Sequence, residues 1–300
     1  MAKIGFVGLG HMGLPMAINL VKAGHHVTGY DLQPMALQNF AAAGELIAHN
    51  LQEAAHKQDI IITMLQTGQQ VLRVCHGKDG LLQHMAAETL FIDCSTIDVN
   101  SARELHQLAK TNGIHAVDAP VSGGTAGAAA GTLTFMVGGE EVAFKAAHPI
   151  LSAMGQKIIH TGIAGSGQAA KICNNMILGI SMIAISEAFV LAEQLHLSPQ
   201  KLFEVVSNAS GQCWAMTKYA PVAGVLDNVP ANNDYKPGFA AAMMLKDLIL
   251  SQDSAESVHV TTPLAAKATE LYQRFIDQGL GDTDFSAIIK LITDGKEVSI

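Results

Sequence analysis

Lys171 and Asn175 stand four residues apart in Gly167-Gln168-Ala169-Ala170-Lys171-Ile172-Cys173-Asn174-Asn175, a spacing that puts an amine and an amide on one face of a helix, projecting together into a cleft. Gly167, one turn earlier, would leave space beside them. A helical lysine is usually a solvated surface charge, but Ala169, Ala170, Ile172 and Cys173 make this stretch apolar. Such an amine can hold or give a proton if burial and a neighbouring positive charge lower its pKa. Ser122-Gly123-Gly124 follows a strand end, where open α/β sheets bind ligands; glycine amides and one hydroxyl there suit a carboxylate. Phe239 and Trp214 would line a small apolar pocket, although both residue types are commonly core. By spacing alone, Lys246-Asp247 reads as an ordinary pair on a helix surface.

Gly8-Leu9-Gly10-His11-Met12-Gly13 lies between a strand-like run and a helical one, the context that makes a GxGxxG match informative. The first glycine permits the tight turn, the second lets the backbone approach a pyrophosphate, and the third allows close helix–strand packing. Free amides at the helix start face the phosphate charge. Asp31 closes the next strand, placed for a carboxylate to accept the adenosine ribose hydroxyls. Leu32, Gln33 and Pro34 follow it, with no arginine for a 2′-phosphate. The cofactor expected is NAD rather than NADP.

Short β-branched runs at 4–7, 26–30, 59–64, 90–93, 115–118, 133–137 and 157–160 predict buried strands. Between most of them lie helical patterns such as 12–22 and 101–111. This alternation predicts an α/β fold whose N-terminal part is a Rossmann-type, doubly wound, mostly parallel sheet. After Gly162 the β-rich runs stop. A long interdomain helix is expected from 166 to about 195, a further start at Ser198-Pro199 with serine as N-cap, and helices at 239–254, 263–278 and 284–293. The chain therefore divides into an NAD-binding domain, 1–162, and an all-α substrate and oligomerisation domain, 163–300.

With 300 residues and 49% hydrophobic composition there is material for two cores. The formal charge of −8 and the lack of a basic run exclude the footprint of a nucleic-acid binder. Cys75, Cys94, Cys173 and Cys213 are widely spaced and read as reduced core thiols. The 13 histidines show no metal-ligand spacing, so no metal is expected. The apolar stretch 172–186 contains Asn174 and Asn175 and falls below the roughly 18 residues of a membrane span, which predicts a core helix and no membrane partner. A strand beginning at Lys3 leaves no room for a signal peptide, so a cytoplasmic location is expected.

The chain resembles the β-hydroxyacid dehydrogenase family over nearly its whole length. Residues 6–17 are similar to its N-terminal signature, Asp118-Ala119-Pro120-Val121-Ser122-Gly123-Gly124 to its substrate loop, and 167–175 to its catalytic helix. Ser210-Gly211-Gln212-Cys213-Trp214, Asn232-Asn233, Gly238-Phe239, Lys246-Asp247 and Asp284-Phe285-Ser286 resemble the members that act on 3-hydroxyisobutyrate. The resemblance implies NAD-dependent oxidation of 3-hydroxyisobutyrate to methylmalonate semialdehyde, with tartronate semialdehyde or another short-chain semialdehyde reductase as the alternative. It implies that Lys171 is the catalytic lysine. Ser122, Gly123, Gly124 and Asn175 would hold the substrate, with Lys246 against it and the nicotinamide end. Toward NAD it implies Gly8, Gly10, His11, Met12, Gly13 and Asp31, with Met64 and Leu65 passing beneath the dinucleotide, Gln70 toward the phosphates or ribose, Thr96 near the nicotinamide ribose, and Phe239. Gln66 stands where many relatives have proline, and Gln70 where many have asparagine. Imine-reducing relatives commonly lack the lysine that is retained here. Relatives form dimers and tetramers, so a homodimer or homotetramer is expected.

Overall fold

The computed structural model describes residues 1–44 and 46–293; positions 294–300, which close the expected 163–300 domain, lie outside the described residues. The chain divides into two compact units, Met1–Lys171 and Ile172–Ile300.

Among the described residues the first unit holds nine strands: β1 Lys3–Val7, β2 His26–Tyr30, β3 Leu46–Ile47, β4 Ile60–Thr63, β5 Leu90–Asp93, β6 His115–Asp118, β7 Val121–Ser122, β8 Leu133–Gly139 and β9 Gly155–Gly162. The order β3-β2-β1-β4-β5-β6 is parallel throughout, and the sequence-adjacent strands part on either side of β1, as in a doubly wound sheet. Strand β8 then runs antiparallel to β6 and β7, and parallel to β9 on its other edge. The predicted mostly parallel sheet is therefore present, with one reversal at β8. β3 and β7 were not foreseen, because two residues are too few to show a period.

Ile4, Phe6, Ile60, Ile62, Leu90 and Ile92 point into one core, and Ile61, Phe91 and Val71 into another. Alternation across a sheet covered on both faces produces this division. The helix expected at 101–111 begins earlier, at Val99–Thr111, because Asp98 caps it by accepting from the Ser101 amide at 2.7 Å.

The second unit is helical. The helix Ser166–Gln194 carries the chain into it and is the one described helix long and apolar enough to cross a membrane. Its residues Met182, Ile183, Ile185 and Phe189 are buried in the unit's own core with Met244, Leu248, Tyr272 and Phe275, as expected of a core helix. Gly179 lets this helix approach Ala241–Ser257: a side chain there would press on Leu248 and Met244. Pro199–Ser207 starts as expected, with Ser198 capping Lys201 and proline in the first turn. The predicted 263–278 helix ends at Phe275 and passes into a wider turn, Ile276–Leu280, stopped by Gly279 at φ 81°. The predicted 284–293 helix is a tight turn, Phe285–Ile288, followed by Ile289–Thr293.

Candidate active site

The glycine turn at the end of β1 has a different reason for each glycine. Gly8 has φ +98° and lies against the Met64 carbonyl, while a side chain on Gly13 would overlap the Gly8 carbonyl oxygen. Gly10 has nothing within 4 Å of where a side chain would start, and it is exposed. The helix Gly13–Lys22 opens with Met12 and no side-chain cap, which leaves its first amides to an anion. These features fit a dinucleotide pyrophosphate. Asp31 is half-buried and already accepts from the Leu9 amide at 2.7 Å and the Gln33 amide at 2.8 Å. It therefore also clamps the glycine turn, and each oxygen keeps a lone pair for a ribose hydroxyl.

Met64 and Leu65 follow β4 directly, with the Met64 amide on the Val7 carbonyl and the Leu65 amide on Ser95 Oγ. Gln70 has a structural duty that the sequence reading missed: its Oε1 accepts from the Gln66 and Thr67 amides in a capping box for Gly68–Cys75. Only its Nε2 is left for a ligand.

Lys171 is 7% exposed, on a helix whose start is fastened by two buried polar side chains. Asp118, at the end of β6, accepts from the Gly165 and Gln168 amides at 2.8 and 3.0 Å and bonds His106 Nε2 at 2.9 Å. Gln168 donates from Nε2 to the Ser95 carbonyl at 2.8 Å and accepts from the Ile97 amide at 3.1 Å, embracing Thr96. Gly167 does not leave ligand space as expected. A side chain there would strike the Met136 and Asp118 carbonyls, so this glycine serves close packing of helix on strand. Cys173 is exposed rather than core; about 200° round the helix from Lys171 and from Asn175, it lies on the opposite face from two buried residues.

Ser122, half-buried, pairs with Thr134 across β7 and β8. Gly123 and Gly124, with φ +135° and +62°, turn the chain into Gly124–Ala130, conformations that favour glycine. On the paired strands β5 and β6, Asp93 and Asp118 are register partners. Burial pushes the Asp93 carboxyl up to about 6, against hydrogen bonds from Ser95 and Thr63, with Asp118 adding to the rise. Burial, then Asp93, pushes the Cys75 and Cys94 thiols up, so both are inert.

In the second unit, the Asn175 amide donates to Asp247 Oδ2 and its Oδ1 accepts from Asn174 at 2.9 Å. One N–H of Asn175 remains, with a fixed orientation. Lys246 Nζ lies 3.3 Å from Asp247 Oδ1. Asp247 is 2% exposed, so Lys246-Asp247 is not the ordinary surface pair that spacing suggested. Trp214, Tyr219, Phe285 and Phe239 form an aromatic row, with centroids 5.2, 5.3 and 5.6 Å apart in turn. Trp214 and Phe239 thus stand at its two ends, and Trp214 is 52% exposed. Asp284 holds the row: it accepts from Tyr219 Oη, the Gly238 and Phe239 amides, and the Ser286 amide and hydroxyl. Burial, then Asp284, drives the Tyr219 hydroxyl well above its ordinary pKa. Asp118, Gln168 and Asp284 received no role from sequence, since their partners lie 45 to 73 residues away in most cases.

Residues 3–162 match the family model described as the NAD binding domain of 6-phosphogluconate dehydrogenase, and residues 165–292 match that of the NAD-binding of NADP-dependent 3-hydroxyisobutyrate dehydrogenase. A probable 3-hydroxyisobutyrate dehydrogenase of Mycobacterium bovis is 50% identical over 289 residues, 96% of this chain and 97% of that one. An NAD-dependent L-serine dehydrogenase of Pseudomonas aeruginosa is 45% identical over 291 residues, 97% of this chain and 98% of its own. A solved structure of Mycobacterium tuberculosis 3-hydroxyisobutyrate dehydrogenase with L-serine is 50% identical, with a TM-score of 0.93, covering 97% of this chain and 99% of that one.

Proposed function

The chain belongs to the β-hydroxyacid dehydrogenase family, and on that premise we propose that its substrate is 3-hydroxyisobutyrate, oxidised to methylmalonate semialdehyde in valine degradation. The observation that carries the reading is a buried lysine at the catalytic position of the family's motif.

Oxidising an alcohol requires the hydroxyl proton to leave as hydride departs from carbon. NAD, when bound, supplies the hydride acceptor. Lys171 Nζ takes the hydroxyl proton in oxidation and returns it in reduction. Ser122 Oγ and the amides of Gly123 and Gly124 receive the carboxylate, and the remaining N–H of Asn175 orients the substrate oxygen. Lys246 adds positive charge. Gly8, Gly10, His11, Met12 and Gly13 hold the pyrophosphate, Asp31 the adenosine ribose, Met64 and Leu65 the underside, and Thr96 the nicotinamide ribose. Gln70 Nε2 and Phe239 complete the cofactor contacts. NAD preference over NADP rests on Asp31 and on the lack of arginine at 32–34. A homodimer or homotetramer belongs to the same reading, supported by the exposed Ile177, Leu191, Ile249 and Leu264 of the second unit.

L-Serine is the second reading, favoured by the Pseudomonas relative and by the ligand of the mycobacterial structure. It too is a 3-hydroxy acid, with an ammonium where 3-hydroxyisobutyrate carries a methyl. Steady-state kcat/KM for 3-hydroxyisobutyrate, L-serine, glycerate and 4-hydroxybutyrate, with NAD and NADP in parallel, decides between them. Highest kcat/KM for 3-hydroxyisobutyrate with NAD is expected; a higher value for another acid overturns the assignment.

A further inference from the structure

We propose that Gln168 is a positioning residue that sets the Lys171 amine against the turn bearing Thr96, an inference that rests on the proton-transfer role of Lys171. Gln168 is fully buried, one turn before Lys171 on the same helix. Its amide spans the backbone on both sides of Thr96, donating to the Ser95 carbonyl at 2.8 Å and accepting from the Ile97 amide at 3.1 Å. A flipped amide would set donor against donor and acceptor against acceptor, so the orientation is unique.

The turn it grips is itself held. Asp93 Oδ1 accepts from the Ser95 amide at 3.1 Å and from Thr63 Oγ1 at 2.8 Å, and Ser95 Oγ accepts from the Leu65 amide at 2.8 Å. On the helix side, the Gln168 backbone N–H donates to Asp118 Oδ2 at 3.0 Å. A continuous set of hydrogen bonds therefore runs from Leu65 through Ser95 to Gln168, and rigid helix carries it to Lys171. Proton and hydride leave the substrate from adjacent atoms, so the group receiving the proton must be registered against the nicotinamide side. A misplacement near 1 Å costs roughly 10²-fold in rate. Gln168 ties those two parts of the first unit together through its side chain. A purely structural glutamine would satisfy the same backbone groups and set stability alone, and the two roles separate kinetically.

The test uses the full-length protein and the best acid of the substrate panel. Gln168→Met keeps length and removes both hydrogen bonds; Gln168→Glu keeps the acceptor for Ile97 and loses the donor to Ser95. For Gln168→Met, kcat should fall roughly 10- to 100-fold, the primary deuterium isotope effect on kcat should rise, and NAD dissociation should stay within about threefold of the parent. Gln168→Glu should fall in the same direction, and it carries the test if the methionine variant does not fold. A lower melting temperature with unchanged kcat and isotope effect overturns the proposal. Lys171→Met, measured in parallel, separates the two ideas. An inactive Lys171→Met beside an unaffected Gln168→Met sinks the positioning role alone, whereas an active Lys171→Met sinks the lysine's role and this inference with it.

Discussion

The glycine turn after β1 and the Asp284 hub of the helical unit each fix a loop, by opposite means. At the turn, side chains are missing where they would collide: Gly13 must lie on the Gly8 carbonyl, and Gly8 on that of Met64. At the hub, one buried carboxylate gathers five donors from Tyr219, Gly238, Phe239 and Ser286. The first device is backbone geometry and is written within six consecutive residues. The second is a long-range polar bond set, and its members share no local pattern. Rigid backbone suits a pyrophosphate, which backbone amides can bind directly, whereas an aromatic row needs a polar anchor to hold its rings in place.

The comparison can be broken by mutation. Asp284→Ala leaves those donors buried without an acceptor, and should cost about 3–5 kcal/mol, read as a fall in urea midpoint; a loss below about 1 kcal/mol would show that the hub does not hold the row. Gly13→Ala drives a methyl into backbone that cannot move aside, and about 3 kcal/mol is expected together with loss of NAD binding. A stable variant with normal NAD affinity would refute the close-packing account.

The smallest effect concerns Asp93, whose carboxyl sits near 6 in the folded chain against about 3.9 when unfolded. The native state holds this proton more tightly, so the stability Asp93 contributes is full below about pH 4 and lost as pH rises through about 6. Asp93→Asn removes that dependence. Its melting temperature relative to the parent should rise between about pH 4 and about pH 7.5, by the equivalent of roughly 2 kcal/mol. A difference that stays flat across this range contradicts the raised pKa.

Much of the fold was legible in sequence for the reason this comparison exposes. Strands buried on both faces read as apolar runs, and β2, β5 and β6 appear at their expected limits. That an α/β part precedes a helical one was legible from the change of texture along the chain. What escaped were features made by distant partners. Asp98 moves a helix start, Asp284 converts an expected helix into a tight turn, and Gln70 faces its own helix start. Gly167 was read as space for a ligand because its neighbours Met136 and Asp118 come from other strands. The Lys171 and Asn175 spacing was visible, but the side chains that fasten the start of their helix, Gln168 and Asp118, and the Asp247 carboxylate that Asn175 bonds, were not. Their residue types are common on exposed helices, and only burial distinguishes them.

The central claim is that Lys171 moves the substrate proton and takes no part in holding NAD. Steady-state turnover of Lys171→Ala, with NAD dissociation measured on the same preparation, tests it most directly. Turnover lower by roughly 10² or more with NAD affinity nearly unchanged is the result predicted. Turnover close to that of the parent would contradict it.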